Sequence, residues 1–194
     1  MNIVIMGPPG AGKSTIASRL SKEFDYRLIC AGDLLRAEKE SGSILGNKIA
    51  SIIDAGNLVP DEMITEIIYN EIRKRISIKT NFLIDGYPRT KKQSISLDTM
   101  INVPIVLWVN VSEETTIKRN LNRGFKLGRP DDSNEEIIRQ RIKNYNKTSE
   151  DIKDYYFDRI VEIDGEGKPD VVYKRVIDTL FETVIEPKDI KDII

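Results

Sequence analysis

Histidine is absent from this 194-residue chain, and cysteine occurs once, as Cys30. Without histidine there can be no serine–histidine or cysteine–histidine nucleophile and no imidazole metal site. A single cysteine excludes an intramolecular disulfide and any zinc site built from several cysteines. We expect Cys30 to be a small buried core residue, because it follows an apolar pair. Any catalysis must therefore depend on lysine, arginine, carboxylates and the backbone.

An excess of one charge and a long apolar run are also missing. Thirty basic and 31 acidic residues give a net charge of −1, which does not favour nucleic-acid binding or a polybasic membrane anchor. No apolar run approaches the length of a membrane-spanning helix. Met1 leads directly into an apolar strand, so we expect no signal or transit peptide. These features predict a single-domain cytoplasmic protein.

Short apolar runs alternate with helical periodicity, which predicts an α/β fold with a parallel sheet. The predicted strands are 2–6, 27–30, 81–85, 105–110 and 159–163. The predicted helices are 12–24, 32–41, 44–55, 61–77, 91–99, 113–122, 134–156 and 169–185. Residues 31–60 contain two short helices and no strand, which indicates an insertion carried by the sheet. The polar segment from Asn122 to Asp132 contains two glycines and predicts a mobile basic loop.

A glycine-rich segment, Gly7-Pro8-Pro9-Gly10-Ala11-Gly12-Lys13-Ser14-Thr15, matches the pattern G-x-x-x-x-G-K-[ST]. It lies between a predicted buried strand and a predicted amphipathic helix, so successive backbone N–H groups and the helix N-terminus would face an anion. Lys13 would bring a cation to a transferring phosphoryl group, and the Ser14 hydroxyl would bind Mg²⁺. A glycine-rich turn that binds nothing is disfavoured, because every fixed position of the pattern is matched. The segment predicts a nucleoside triphosphate site.

Four further motifs follow in order along the chain. They are Ala31-Gly32-Asp33-Leu34-Leu35-Arg36, Asp54-Ala55-Gly56-Asn57-Leu58-Val59-Pro60, Asp85-Gly86-Tyr87-Pro88-Arg89-Thr90 with Gln93, and Gly128-Arg129-Pro130-Asp131-Asp132. With the first segment they resemble a nucleoside monophosphate kinase of the adenylate kinase family with a short lid, over residues 1 to about 185. A small-metabolite kinase or a non-catalytic nucleotide switch would lack most of these motifs.

The resemblance implies a P-loop nucleoside triphosphate hydrolase-like fold, with a parallel five-stranded sheet and helices on both faces. It implies one kinase domain over 1–194, in which 31–60 form a helical monophosphate-binding subdomain and 123–130 a short lid. The implied reaction is reversible transfer of the terminal phosphoryl group from Mg·ATP to a nucleoside monophosphate. The resemblance also suggests a monomer. We expect no zinc, because the segment between Arg123 and Arg129 is too short for a zinc-bearing lid and contains neither cysteine nor histidine.

The same resemblance implies the site residues. The ATP-binding set is Gly10, Ala11, Gly12, Lys13, Ser14, Thr15, Arg119, Arg123 and Lys168, with Arg119 and the Lys168 backbone at the adenine. The monophosphate-binding set is Ala31, Arg36, Asn57, Leu58, Val59, Gly86, Tyr87, Pro88, Arg89, Gln93, Arg129 and Arg141. The catalytic set is Lys13, Arg89, Arg123, Arg129 and Arg141. Arginine suits such a site because its planar fork binds phosphate bidentately and stays protonated.

Two carboxylate assignments have alternatives. Asp85 ends an apolar strand, where it can hold Mg²⁺ through water, or it can form the turn before Gly86. Asp131 and Asp132 either orient the lid arginines or cap the following helix.

Two residues give conflicting indications of which base the phosphoryl acceptor carries. Gln93 matches the adenylate kinase pattern, whereas Ala31 stands where those enzymes usually carry threonine and resembles the uridylate/cytidylate kinases. The Gln93 amide can pair with adenine or, flipped, with a pyrimidine. We expect AMP as the acceptor, with a UMP/CMP kinase as the alternative.

Overall fold

A computed structural model describes residues 1–76, 80–128 and 130–184 of the chain. Within these residues the strands are β1 (Ile3–Met6), β2 (Arg27–Cys30), β3 (Phe82–Asp85), β4 (Ile105–Asn110) and β5 (Ile160–Asp164). They form one sheet in the order β2-β3-β1-β4-β5, and every pairing is parallel. The predicted five-stranded parallel sheet is therefore confirmed.

The helices cover both faces of this sheet. They are α1 (Lys13–Glu23), α2 (Ala31–Glu40), α3 (Ile44–Asp54), α4 (Asp61–Arg75), α5 (Lys91–Met100), α6 (Glu113–Leu127), α7 (Pro130–Ser133), α8 (Glu135–Tyr155) and α9 (Pro169–Val184). Polar side chains fix several of their first turns: Ser43, Thr90, Ser112 and Asn134 each accept a hydrogen bond from a backbone N–H of the helix that follows. Among the described residues, no helix combines the length and the hydrophobicity needed to cross a membrane.

Alternation along the strands divides the core into two layers. In β1, Val4 and Met6 pack with α4, α5 and α8, whereas Ile3 and Ile5 pack with α1 and α9. The β1 and β3 residues are all buried, which explains why these strands appear in the sequence as unbroken apolar runs.

The carboxyl ends of the strands meet at one edge of the sheet, where open α/β sheets bind their ligands. The register pairs Asp85 at the end of β3 with Ile5 on one side and with Cys30 on the other. The glycine-rich segment follows β1 directly. Parallel pairing thus brings the glycine-rich segment and the motif that begins at Asp85 to the same edge.

The predicted loop over 122–132 is wrong for most of its length. Helix α6 continues to Leu127, and its C-cap is Gly128 in the left-handed conformation with φ 59°. Gly124 does not break the helix. A Cβ at Gly124 would lie 2.6 Å from Ser133 Oγ and 2.7 Å from the Asp132 carbonyl, so the missing side chain lets α7 pack directly on α6. The other predicted helices agree with the structure to within two residues at each end where it describes them, while residues 77 and 185, the predicted ends of two helices, lie outside the described residues.

Candidate active site

The glycine-rich segment forms the turn from β1 into α1. Gly10 has φ 79°, and a Cβ there would lie 2.5 Å from Asn120 Nδ2 and 2.9 Å from the Thr116 carbonyl oxygen, so only glycine fits. Gly12 is the N-cap of α1, also in the left-handed conformation, and among the described residues no side chain caps this helix. The first turn of α1 therefore presents backbone N–H groups and the positive end of the helix dipole to an anion.

The Lys13 side chain arches back over this turn. Its Nζ donates to the carbonyl oxygens of Gly7 at 2.9 Å and Pro8 at 2.7 Å. Burial, with the nearby cations Arg89, Arg123 and Arg141, lowers the pKa of Lys13 to about 8, although Asp85 acts in the opposite direction. The ammonium is thus poorly compensated, and an incoming phosphate would supply the missing negative charge.

Ser14 and Asp85 face each other at the mouth of the cleft. The Ser14 hydroxyl donates to Asp85 Oδ2 at 2.5 Å, and Asp85 is only 3% exposed. Cys30 points its Sγ at the same oxygen from 3.7 Å and lines the cleft. The expectation that Cys30 is a buried core residue is therefore wrong, since it is only partly buried. Burial and the negative charge of Asp85 raise the pKa of this thiol to about 12, so it remains protonated.

These groups line one cleft of about 890 Å³, part of which is open to solvent. Its wall holds the cations predicted for the site, namely Lys13, Arg36, Arg89, Arg123 and Arg141. Arg129 lies outside the described residues, so its predicted role stays a prediction. The cleft is therefore cationic, with Asp85 as its acidic lining residue in the described part of the chain.

The four described arginines of the cleft are each held by other groups of the fold. Arg123 and Arg141 both donate to the Asp132 carboxylate, Arg89 Nε donates to the Gly86 carbonyl at 3.0 Å, and Arg36 pairs with Asp33. Of the two roles considered for Asp132, the structure shows that it orients arginines, whereas Asn134 is the residue that caps α8.

The pKa of Arg89 is lowered, mainly because burial removes water from its guanidinium and secondly because Arg141 is also positively charged. An arginine nevertheless stays protonated at neutral pH. Arg89 and Arg141 thus lie close enough to repel each other, and an anion placed between them would relieve that repulsion.

A second cavity of about 730 Å³, also partly open to solvent, adjoins the first. It shares with the first Gly32, Arg36, Leu58, Gly86, Arg89, Arg141 and Asn144. Its remaining predicted residues are Asn57, Val59 and Gln93. Of the described residues in the predicted monophosphate-binding set, two line neither cavity: Ala31 is 1% exposed and Tyr87 0% exposed, both within the core. The Tyr87 hydroxyl bonds to Thr65 at 3.0 Å, so this side chain supports the cavity wall from behind.

Arg119 and Lys168 lie away from these cavities, at the loop after β5. Arg119 Nη2 donates to the carbonyl oxygens of Gly165 and Gly167, both at 2.9 Å, and Nη1 lies 3.4 Å from the Ala11 carbonyl. The Lys168 carbonyl accepts from Val171 and Val172 at the start of α9. The structure therefore places Arg119 beside Ala11 of the glycine-rich turn, and Lys168 at the start of α9, next to the Gly167 that Arg119 contacts.

One lining residue had no signal in the sequence. Asn144, on α8, lines both cavities and donates from Nδ2 to the Gly56 carbonyl at 3.0 Å. It fastens the segment that carries Asn57 to the helix that carries Arg141. An asparagine inside an ordinary amphipathic helix matches no local motif, and only its position beside the cleft reveals it.

Comparison with known proteins agrees with this geometry. The family model described as adenylate kinase matches residues 5–161. The adenylate kinase of Thermus thermophilus is 39% identical over 181 residues, covering 90% of this chain and 94% of that protein. Adenylate kinase isoenzyme 1 of Rattus norvegicus is 37% identical over 177 residues, covering 90% and 91%. The matched region includes the glycine-rich turn and every described cation of the cleft, and the chain belongs to the adenylate kinase family.

Proposed function

We propose that this protein is an adenylate kinase, which transfers the terminal phosphoryl group of Mg·ATP reversibly to AMP and gives two ADP. The observation that carries the proposal is the pair of adjoining cavities: one begins at the glycine-rich turn, the other ends at Gln93, and the arginines lie where they join. A kinase acting between two nucleotides needs cations where the two sets of phosphates meet. The first cavity would hold the donor phosphates, with the donor base outside it at Arg119, and the second cavity would hold the acceptor.

On the donor side, the turn over Gly10–Thr15 would bind the ATP phosphates through backbone N–H groups, with Lys13 exchanging its carbonyl partners for phosphate oxygens. Arg119 and the Lys168 backbone would contact the adenine. The bonds of Arg119 to Gly165 and Gly167 support this role, because they hold the guanidinium in place before any nucleotide binds.

On the acceptor side, Arg36 and Arg89 would hold the monophosphate, and Asn57, Leu58, Val59, Gly86, Pro88 and Gln93 would surround the nucleoside. The attacking phosphate oxygen is already anionic at neutral pH, so no general base is required. The barrier lies in bringing two polyanions together and spreading charge over the transferred group. Arg123, Arg129 and Arg141 would stabilise that charge, and the loss of one such donor typically costs about 3–4 kcal/mol of transition-state energy.

Ser14 and Asp85 fit a magnesium ion. Mg²⁺ prefers hard oxygen ligands and retains several waters, and these two side chains supply a hydroxyl and a buried carboxylate oxygen at the same point of the cleft. When bound with ATP, the ion would neutralise phosphate charge. We propose that the Ser14 hydroxyl contacts it directly and that Asp85 holds its water.

We also propose that 31–60 act as a monophosphate-binding subdomain and 123–130 as a short lid, which close over the substrates. Closure would exclude water, which otherwise competes for the phosphoryl group. Hydrogen exchange measured with and without a two-headed inhibitor that joins both nucleotides tests this. Protection of both segments at saturation is expected, and unchanged exchange in both would contradict closure.

The function is tested by a coupled assay with ATP and the acceptors AMP, CMP, UMP and GMP. AMP should give the highest kcat/KM. If UMP or CMP is the better acceptor, the protein is the alternative UMP/CMP kinase, which the alanine at position 31 favours. If no monophosphate is phosphorylated, the kinase assignment itself fails. We further propose a cytoplasmic monomer, for which sedimentation at assay concentration should give the mass of one 22.1 kDa chain.

A further inference from the structure

Asp61, the first residue of α4, is hydrogen-bonded to Gln93, a lining residue of the acceptor cavity. Its Oδ1 accepts from Gln93 Nε2 at 2.7 Å, and its Oδ2 accepts from the Thr90 hydroxyl at 2.9 Å. The other end of the Gln93 amide is also engaged, because Oε1 accepts from the backbone N–H of Arg89 at 2.6 Å. The Gln93 amide is thus bonded at both its nitrogen and its oxygen.

These partners permit one orientation of the amide. A carboxylate only accepts and a backbone N–H only donates. Rotating the Gln93 amide by half a turn would set oxygen against the Asp61 carboxylate and N–H against the Arg89 N–H. Gln93 is 2% exposed, so little water is present to relieve that mismatch. Asp61 is itself fixed, because the Thr90 hydroxyl donates to it while accepting from the Gln93 backbone N–H.

The orientation matters because Gln93 lines the acceptor cavity. Its amide keeps one N–H and one oxygen lone pair beyond the bonds just described. An N–H beside an acceptor matches the edge of adenine, which offers a ring nitrogen acceptor and an amino donor. A 6-oxo purine offers a ring N–H and a carbonyl at the same two positions, so it would need the Gln93 oxygen and N–H to exchange places. Cytosine and uracil differ from each other in the same way.

We propose that Asp61 is a positioning residue that locks the Gln93 amide, so that the acceptor site selects amino bases over oxo bases; this rests on the proposed function of the site. AMP and IMP form the matched pair that isolates the effect. They have the same size and phosphate, and they differ only at position 6 and the adjacent ring nitrogen.

The experiment compares kcat/KM for AMP and IMP, and equilibrium binding of each without ATP, in four variants. Asp61→Ala and Asp61→Ser replace the carboxylate, which can only accept a hydrogen bond, with a water molecule or a hydroxyl. Either of these can also donate, so the Gln93 amide can turn its oxygen towards position 61. Both variants should raise the IMP:AMP ratio of kcat/KM by about tenfold, through KM rather than kcat. Asp61→Asn should restore most of the selectivity, since its Oδ1 can still accept from Gln93 Nε2.

Glu62→Ala is the matched control. It also removes a negative charge from the first turn of α4, but its partner is the exposed Lys92, and it should leave the ratio unchanged. Asp61→Ser keeps a hydrogen-bonding side chain at the helix start, so it remains informative if Asp61→Ala folds poorly.

The outcomes distinguish the positioning role of Asp61 from the proposed function of the site. Equal losses for AMP and IMP in the alanine and serine variants would show a merely structural role and overturn the proposal. So would an asparagine variant no more selective than the alanine one. A parent enzyme that prefers UMP or CMP would overturn the proposed function, whereas an unchanged IMP:AMP ratio with AMP still preferred would overturn only the role of Asp61.

Discussion

Asp132 holds Arg123 with both of its carboxylate oxygens, Oδ2 accepting from Nε at 2.6 Å and Oδ1 from Nη2 at 2.7 Å. Oδ1 also accepts from Arg141 at 2.7 Å, and the carboxylate has no exposed surface. One buried anion therefore sets the position of two cleft arginines that belong to different helices, α6 and α8.

Asp132→Asn should weaken both activity and stability. Breaking a buried pair costs about 3–5 kcal/mol, but the Arg123 and Arg141 side chains are 30% and 19% exposed and can recover some hydration. We expect a loss of about 1–3 kcal/mol in the free energy of unfolding and at least a tenfold loss in kcat/KM. Urea denaturation and initial rates measure these. Asp178→Asn, which removes an exposed carboxylate paired with Lys174, should change neither.

The stabilising effect of Asp132 should depend on pH. Burial alone would raise its pKa, but the hydrogen bonds and charges of Arg123 and Arg141 outweigh burial and lower it. A carboxyl with a lowered native pKa stabilises the fold above its unfolded pKa, and the effect is lost as the pH falls through the native value. The stability difference between the parent and Asp132→Asn should be constant from about pH 7 to 5 and shrink at lower pH. A constant difference down to pH 2 would contradict this.

Lys13→Ala should abolish turnover and leave the fold intact. In the described part of the chain its ammonium donates hydrogen bonds to the carbonyls of Gly7 and Pro8, and Lys13 is not one of the core residues. Initial rates and thermal unfolding are measured together, with Lys22→Ala on the exposed face of α1 as the control. Activity within tenfold of the parent would disprove the role of Lys13.

ATP binding should take up a proton at alkaline pH. Burial and the neighbouring arginines lower the pKa of Lys13 to about 8 in the nucleotide-free protein, and phosphate oxygens would raise it again. Affinity for ATP should therefore fall as the pH rises above about 8. Calorimetry at pH 9 in two buffers of different ionisation enthalpy measures the uptake, which Lys13→Ala should lack. Equal apparent enthalpies in both buffers would refute it.

Activity should require Mg²⁺, and the protein should contain no structural metal. In the described residues, no group of three or more carboxylates or thiols is placed to hold a metal ion. Chelation should stop turnover, leave the melting temperature unchanged and be reversed by added Mg²⁺. Stoichiometric zinc in elemental analysis would contradict this expectation.

Ala31→Thr tests the threonine position of the resemblance. If a hydroxyl there reads the base, the substitution should improve the preference for AMP over CMP and UMP by about fivefold, the worth of one net hydrogen bond. The structure adds a second expectation. Ala31 is 1% exposed, so a hydroxyl that finds no partner should lower the free energy of unfolding by about 1–3 kcal/mol. Unchanged selectivity with lower stability would show that position 31 does not read the base.

Local patterns were sufficient to predict the sheet and most of the helices. The predicted strands agree with the structure because strands such as Phe82–Asp85 are buried on both faces of a parallel sheet. Such strands appear in a sequence as short, nearly continuous apolar runs, which are easy to recognise. The described cations that line the cleft were also predicted, Lys13, Arg36 and Arg89 from motifs and Arg123 and Arg141 from the family resemblance. Their distances and partners could not be, because they depend on where separate elements pack.

The features that the sequence did not predict also depend on how elements distant in the chain pack together. Gly124 looked like a helix breaker, yet it permits the close packing of α7 on α6. The bonds from Asp61 to Gln93 and from Asn144 to Gly56 join residues 32 and 88 positions apart. Nothing local in the sequence marks such pairs.

The bonds of Arg119 suggest that the two nucleotides are treated differently. Both N–H groups of its Nη2 donate to backbone carbonyls at the loop after β5, so a donor base would meet mainly the flat face of the guanidinium. Every nucleobase offers a face to stack, whereas only some offer the edge that Gln93 demands. The phosphoryl donor should therefore be the interchangeable partner, with GTP or CTP able to replace ATP far more readily than another monophosphate can replace AMP.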